Sequence, residues 1–463
     1  MSDAPATTAA EASLAAVFAA VESQRERSLA RLLAYLRMPS ISAHGEGMAE
    51  VAAALVAQLD AIGMHPQTIA TPGWPFVYAR RDDAPGAPTV LLYGHYDVQP
   101  PDPLDAWVSP PFAPTIRDGR VYARGAGDNK GQHFAQLLAI ETLLAVHGRL
   151  PCNVIVLLEG EEEIGSPHIA AFVRDNRAIL DADLVVTADG PLHASGRPTL
   201  EFGVRGVASF GLRARGATTD LHSGNWGGVA PNPIWTLVHL LATMKNDRGE
   251  ITIDGLHDGI VPPSERELAA LATLPDDIPQ ILASVGLTRM DAPAERGYYE
   301  RLAFHPTLTI NGFHGGYGGP GSKTVLPHEA FVTCDIRLVA DQRVETVMAR
   351  VAAHVASYAP DVIFEPHAGM DPSKTPLDSP FAPLIAEALA RGMGDVPLWL
   401  PAMGGSLPEY VWTRILGVPA FVTPYANADE ANHAPNENIE VERFFAGIRT
   451  GAALLTLLGE RRL

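Results

Sequence analysis

Cysteine is nearly absent: Cys152 and Cys334 are the two present in 463 residues, each inside an apolar run. This argues against a disulfide framework and a thiolate-bound metal, and two buried reduced thiols suit a reducing, cytoplasmic setting. Positive charge is also scarce, with 34 Lys and Arg against 53 Asp and Glu and a formal net charge of -19. Nucleic acid and anionic membrane surfaces are bound through clustered basic residues, so neither is an expected partner. Long apolar runs are missing too, and none approaches the roughly 20 residues of a bilayer-spanning helix. The opening stretch MSDAPATTAAEASLAAVFAA lacks a basic region and carries Glu11, so it does not read as a secretory signal.

What is present is a chain with 47% hydrophobic residues, enough for a large core divided over two domains. After an Ala-rich start expected to be mobile, helical spacing of apolar residues runs over 12–37 and again over 48–62. Apolar, β-branched runs at 88–94, 153–158 and 183–188 flank a helical stretch at 132–147. Strands alternating with helices predict an α/β layer fold with a mixed, largely parallel sheet sandwiched by helices. Near Gly206 the pattern changes: a period-2 strand, a helix at 232–245, a long polar insertion to about 305, two strands, a helix at 342–357 and a final strand. This reads as a β-α-β-β-α-β, ferredoxin-like module over 206–373, inserted into a domain made of 1–205 and 374–463. The Gly-rich GGYGGPGSKT at 315–324 fails the P-loop test, because Lys323 follows Ser322 and no strand–loop–helix context surrounds it.

Four apolar runs each lead to a potential metal ligand: His95 and Asp97, Glu159 to Glu163, Asp189, and His433. In open α/β sheets the carboxyl ends of strands converge on one site, so these residues are expected to meet despite their separation. Asp128, in the loop before the 132–147 helix, is placed to bridge. Singly, each has a plainer explanation, such as a core histidine, a turn aspartate or a solvated acidic face. Together they form an imidazole and carboxylate set suited to zinc, cobalt or manganese. A shared carboxylate is how paired hydrolytic ions are held roughly 3.5–4 Å apart. His95 and Asp97 share a face of an extended segment, so Asp97 can accept the imidazole N–H. On an extended backbone Glu162 and Glu163 would point apart, one to ligate and one to act as a base.

The motifs YGHYDVQP, YARGAGDNKGQ, LLEGEEEIGS, DLHSGNWGG and ANHAPNE together resemble the di-zinc metallopeptidase family that includes carnosine dipeptidases, carboxypeptidase G, aminoacylase and succinyl-diaminopimelate desuccinylase. The likeness spans roughly residues 90 to 440, with the dipeptidase branch closest. It implies two divalent ions, zinc or else manganese or cobalt. One would be held by His95, Asp128 and Asp189, the other by Asp128, Glu163 and His433. It implies Glu162 as general base, Asp97 orienting His95, and a non-proline cis peptide after Asp128. In the inserted domain, His222 resembles a histidine that reaches a partner subunit's site to support the oxyanion, implying a homodimer through that domain. Arg337 resembles an arginine that binds the substrate's terminal carboxylate, and Asn311, Gly405 and Ser406 resemble further substrate contacts. Two departures stand out: Asn129 replaces a second acid found in many relatives, and Glu161 lengthens the acidic run.

The expected activity is hydrolysis of a dipeptide by an activated water. Within the same family the alternative is removal of an N-acyl, N-succinyl or N-carbamoyl group from an amino acid. A non-catalytic metal-binding protein would lack the base or the bridging carboxylate, whereas Glu162 and Asp128 are both present.

Overall fold

Four successive residues of the strand Thr89–His95 show why this chain builds a covered sheet. Val90 and Leu92 pack into one apolar core, while Leu91 and Tyr93 pack into another on the opposite face. The neighbouring strand Asn153–Glu159 divides in the same way, with Val154, Val156 and Leu158 on the first face and Ile155 and Leu157 on the second. Strands buried on both faces need continuous apolar runs, as parallel sheets between helices do. The computed structural model describes residues 9–291 and 297–461, so most of the Ala-rich start lies outside the described residues.

The larger described sheet runs in the order Gln67–Ile69, Phe76–Arg81, Asn153–Glu159, Thr89–His95, Leu184–Thr187, Ala420–Val422, Thr199–Glu201, Leu398–Leu400. Its middle pairings are parallel and the two at the Gln67 end are antiparallel. The mixed α/β expectation is therefore met. Helices Ala9–Ser23, Arg25–Leu36, Met48–Ala61, Lys130–His147, Ala382–Met393 and Val441–Glu460 supply the first core; Ile169–Asp175 and the turn Val411–Leu416 cover the other face. Lys130–His147 lies close against Val441–Glu460, because a side chain at Gly447 would reach within 3.2 Å of Ala135 and 2.6 Å of Tyr425. Among the described residues no helix is long and apolar enough to cross a membrane.

The smaller described sheet is antiparallel, in the order Thr307–Gly315, Glu329–Leu338, Gly206–Arg215, Ile363–Met370. Buried and half-buried residues alternate along Glu329–Leu338, and helices Pro233–Met244 and Val344–Tyr358 join its core. Immediately outside these strands, Gly203–Val204 pairs with Ser373–Lys374, so the chain enters and leaves the smaller unit side by side. The 245–306 stretch, expected to be a polar insertion, carries the short helices Glu265–Leu271, Ile278–Ser284 and Tyr298–Phe304. Glu265–Leu271 begins with a full capping box, in which Ser264 and Glu267 satisfy each other's backbone N–H. At seven residues each, these helices are too short to show a clear period.

Truncating Leu91→Ala at the centre of the sheet, where the side chain is fully buried, is expected to cost about 2–5 kcal/mol. The measurement is the denaturant midpoint of the larger unit, which should fall with an unchanged slope.

Candidate metal centre

The site begins where Thr89–His95 ends. His95 pairs with Glu159 in the sheet and is fully buried, as is Asp97 two residues on. The imidazole Nδ1 lies 3.1 Å from the carbonyl oxygen of Asp97 and 3.3 Å from its carboxylate. That fixes the ring's orientation and leaves Nε2 facing forward. Asp97 also caps the next turn: its two oxygens accept the backbone N–H groups of Glu162 and Glu163, at 3.2 and 3.1 Å. This corrects the extended backbone expected there. Glu162–Ile164 is a single 3₁₀ turn, made possible because a buried carboxylate caps its free N–H groups.

Asp128 sits in the loop before Lys130–His147, joined to Asn129 by a cis peptide bond. Its placement depends on a residue that the motifs alone do not single out. Glu437, fully buried, accepts N–H bonds from Gly125, Gly127 and Asp128 at 2.9–3.0 Å and pairs with the Arg124 guanidinium at 2.6 Å. Gln132 ties the same loop to the Asp189 loop by donating to the carbonyls of Gly127 and Gly190, at 2.9 and 3.0 Å. Both residues stand inside the motifs ANHAPNE and YARGAGDNKGQ. A buried acid or amide beside a Gly-rich loop was the available signal.

Asn129, the departure from the usual acid, is explained by its bonds. Its amide donates to the Ala188 carbonyl at 2.6 Å and accepts from His95 N at 3.3 Å and His133 Nδ1 at 3.1 Å. A carboxylate there could accept but not donate. The glycine at position 94 is required by this contact, since a Cβ there would meet Asn129 Oδ1 at 2.9 Å and His133 Cβ at 2.7 Å. Asp189 follows Leu184–Thr187 and accepts the N–H of Gly190 at 2.6 Å. His433 lies well beyond its strand Ala420–Val422, in a loop where it takes φ 57°, so strand ends alone do not build the site.

Among the described residues two groups could hold a metal ion, His95 with Asp128 and Asp189, and Asp128 with Glu163 and His433. Asp128 is common to both. Its Oδ1 is 3.1 Å from His95 Nε2 and its Oδ2 is 3.1 Å from His433 Nε2; Glu163 Oε2 is 3.2 Å from the same His433 atom. Asp189 Oδ2 lies 3.5 Å from His95 Nε2. The decisive detail is that His95 Nε2 is buried without a hydrogen bond, although two carboxylates lie beside it. The ligand atoms of His95, Asp128 and Asp189 lie within 4.8 Å of one another, close enough for one cation to take all three.

Charge tells the same story. Asp97, Asp128, Glu162, Glu163 and Asp189 crowd around two imidazoles, an excess of acids that a divalent cation would offset. In the ion-free protein the rings take up protons. Burial opposes charge on His95, but Asp128, Asp189 and Asp97 raise its pKa well above the ordinary value. Bonds to Asp128 and Glu163 push His433 up to about 11. Burial and then the Asp128 charge push Glu163 up to about 7, and burial raises Glu162. For Asp128, burial is outweighed by the neighbouring His433 and His95 rings, so its pKa is lowered.

The residues expected to contact substrate form a second group. Arg337 donates to Ser406 Oγ at 2.8 Å, and Asn311 Nδ2 to Asp335 at 3.1 Å. The Gly405 carbonyl accepts from Arg205 N at 3.1 Å. His222 joins neither group: it is exposed on the smaller unit, its Nδ1 accepting from Gly224 N at 3.0 Å.

The model for peptidase family M20/M25/M40 matches residues 91–457. The chain belongs to that peptidase family. Among curated relatives, a Beta-Ala-His dipeptidase of Homo sapiens is 28% identical over 412 residues, covering 86% of this chain and 81% of that protein. A Cys-Gly metallodipeptidase of Schizosaccharomyces pombe is 27% identical over 463 residues, covering 94% and 96%. Among solved structures, an M20 family metallo-carboxypeptidase from Sulfolobus solfataricus superposes with TM-score 0.87 at 33% identity, over 94% of this chain and 99% of that one. Human carnosine dipeptidase 1 gives TM-score 0.82 at 25% identity, over 97% and 99%. The resemblance drawn from the five motifs is therefore borne out.

Metal must displace the protons on His95 and His433, so affinity for Zn²⁺ is expected to rise with pH through neutrality and on toward about 11, and binding near neutral pH to release protons. Calorimetry in buffers of different ionisation enthalpy reads that release. Glu437→Ala frees the Asp128 loop and is expected to weaken metal binding about 10- to 100-fold, measured by competition with a chromophoric chelator.

Proposed function

We propose that this peptidase is a dipeptidase using two divalent ions, zinc first and manganese or cobalt as alternatives. The observation that carries it is Asp128, whose two oxygens each face a different histidine. His95, Asp128 and Asp189 would hold one ion and Asp128, Glu163 and His433 the other. Bound there, the ions supply Lewis-acid polarisation of the scissile carbonyl and lower the pKa of a water from about 15.7 to about 7.

The protein's own groups do the rest. Glu162 stands on the same turn as Glu163 but belongs to neither candidate metal group, and burial raises its proton affinity. It takes the proton of the attacking water and later delivers it to the leaving amine, as a buried carboxylate of raised proton affinity can. Arg337, already aimed at Ser406, presents a planar fork to the substrate's terminal carboxylate. Asn311 braces Asp335 beside it, and Gly405 holds the Ser406 loop. His222 accepts a backbone N–H at Nδ1, so its neutral form carries the proton on Nε2, ready to donate to an oxyanion.

That role for His222 needs a second copy, and we read the protein as a homodimer through the smaller unit. Trp226, Val229, Trp235 and Ile310 are 46–72% exposed there, an apolar face suited to burial. Both cysteines are free and buried, which agrees with a cytoplasmic setting.

Glu162→Gln is expected to lower kcat about 10²- to 10⁴-fold while two ions per chain remain by atomic emission; turnover near that of the wild type refutes the base. A panel of dipeptides and N-acyl amino acids with added Zn²⁺ tests the substrate class. Cleavage of acyl amino acids alone would move the chain to the deacylase reading. Light scattering should give twice the chain mass.

A further inference from the structure

A cavity of about 420 Å³ opens beside the proposed centre. Pro191 and Asn432, which line it, stand next to the Asp189 and His433 loops, while Gly404 and Gly405 lead directly to Ser406. Its walls combine Leu271, Ile281, Tyr298 and Leu302 from the 245–306 segment with Leu400 and Met403 from the larger unit. Most of that lining is apolar, but polar groups break it, among them the side chains of His193, Tyr299 and Glu201.

Of these three side chains, two are already engaged. His193 lies 2.8 Å from Ser195 Oγ through Nδ1 and 2.5 Å from the Tyr299 hydroxyl through Nε2, and Tyr299 donates to Asp277 at 2.9 Å. Glu201 is different. It is 5% exposed, and its Oε2 is buried with no hydrogen-bond partner. A carboxylate kept this dry with an oxygen unpaired is costly, and a donor in the cavity that draws the side chain toward it recovers that cost. Burial pushes the empty carboxyl up to about 8, and a nitrogen donor is the partner that stabilises its charged form.

Position fixes which part of a substrate would reach it. If Arg337 and Ser406 hold the terminal carboxylate, the side chain of that same C-terminal residue projects past Gly405 toward the cavity. We propose that this cavity is the pocket for the C-terminal side chain, and that Glu201 selects a side chain with an apolar shaft and a nitrogen donor at its tip: Lys, Arg, His or Trp. The inference rests on the dipeptidase reading for its substrate frame, and it adds a specificity determinant.

The test uses the metal-loaded protein and dipeptides sharing an N-terminal Ala, with Lys, norleucine, Phe, His or Glu at the C-terminus. Norleucine keeps the lysine shaft and removes the amine. Wild type is expected to favour Ala-Lys over Ala-norleucine by about 10- to 100-fold in kcat/KM, with Ala-Glu poorest. In Glu201→Leu that ratio should collapse toward one, while Ala-norleucine is cleaved at least as well as before. Equal rates on Ala-Lys and Ala-norleucine in the wild type, or a Lys preference that survives Glu201→Leu, overturn the proposal. Should Glu201→Leu fail to fold, free lysine and norleucine are compared as inhibitors of the wild type: stronger inhibition by lysine supports the pocket, and equal inhibition overturns it. If no dipeptide is cleaved and N-acyl amino acids are, the parent reading falls. The pocket is then judged on N-acetyl-lysine against N-acetyl-norleucine.

Discussion

Everything at this site answers to one constraint: like charges held closer than water would let them stand. At an effective dielectric of about 20, two carboxylates about 4 Å apart repel by about 4 kcal/mol, and Asp128 has Asp189 and Glu163 as neighbours across single imidazole nitrogens. Such a cluster persists only if the backbone behind it cannot relax. Glu437 grips the Asp128 loop, Gln132 stitches that loop to the Asp189 loop, and Asp97 binds the His95 strand to the turn of Glu162 and Glu163. The acids that hold the frame and the acids that face the centre are different residues.

Much of this was legible in the sequence because it follows local rules. Continuous β-branched runs mark strands covered on both faces, and His95, Asp97 and Asp189 could be placed at their ends by counting residues. Asp128 was readable as the residue before a helix. Other parts were hidden for physical reasons. Glu437 and Gln132 act on backbone groups far along the chain, and a side chain's preference for distant N–H groups leaves no periodic trace. The turn at Glu162 and Glu163 escapes a local reading because its capping carboxylate comes from Asp97, 65 residues earlier. His433 reaches the cluster through a loop with left-handed φ, which no strand pattern announces.

The departure at Asn129 shows how a single amide can be read two ways. As an absent acid it suggests a weakened site. Its actual bonds, one donated across to the Asp189 strand and two accepted from the His95 strand and His133, make it a strut between two ligand-bearing strands. Losing a negative charge there also lowers the repulsion that the frame must resist.

The paired segments Gly203–Val204 and Ser373–Lys374 carry both crossings of the chain between the units. Asp371 braces these crossings with arms on either side, to Arg343 at 3.1 Å and to Arg414 at 3.0 Å. Because both crossings share one ribbon, the smaller unit is joined to the larger along one line, as a door is on its post. Arg337 and His222 ride on the door while the metal-facing acids stay with the frame. On the proposed reading, the reach from Arg337 to the metal-facing acids is therefore measured across the join between the two units, so the way they meet sets the length of substrate that fits.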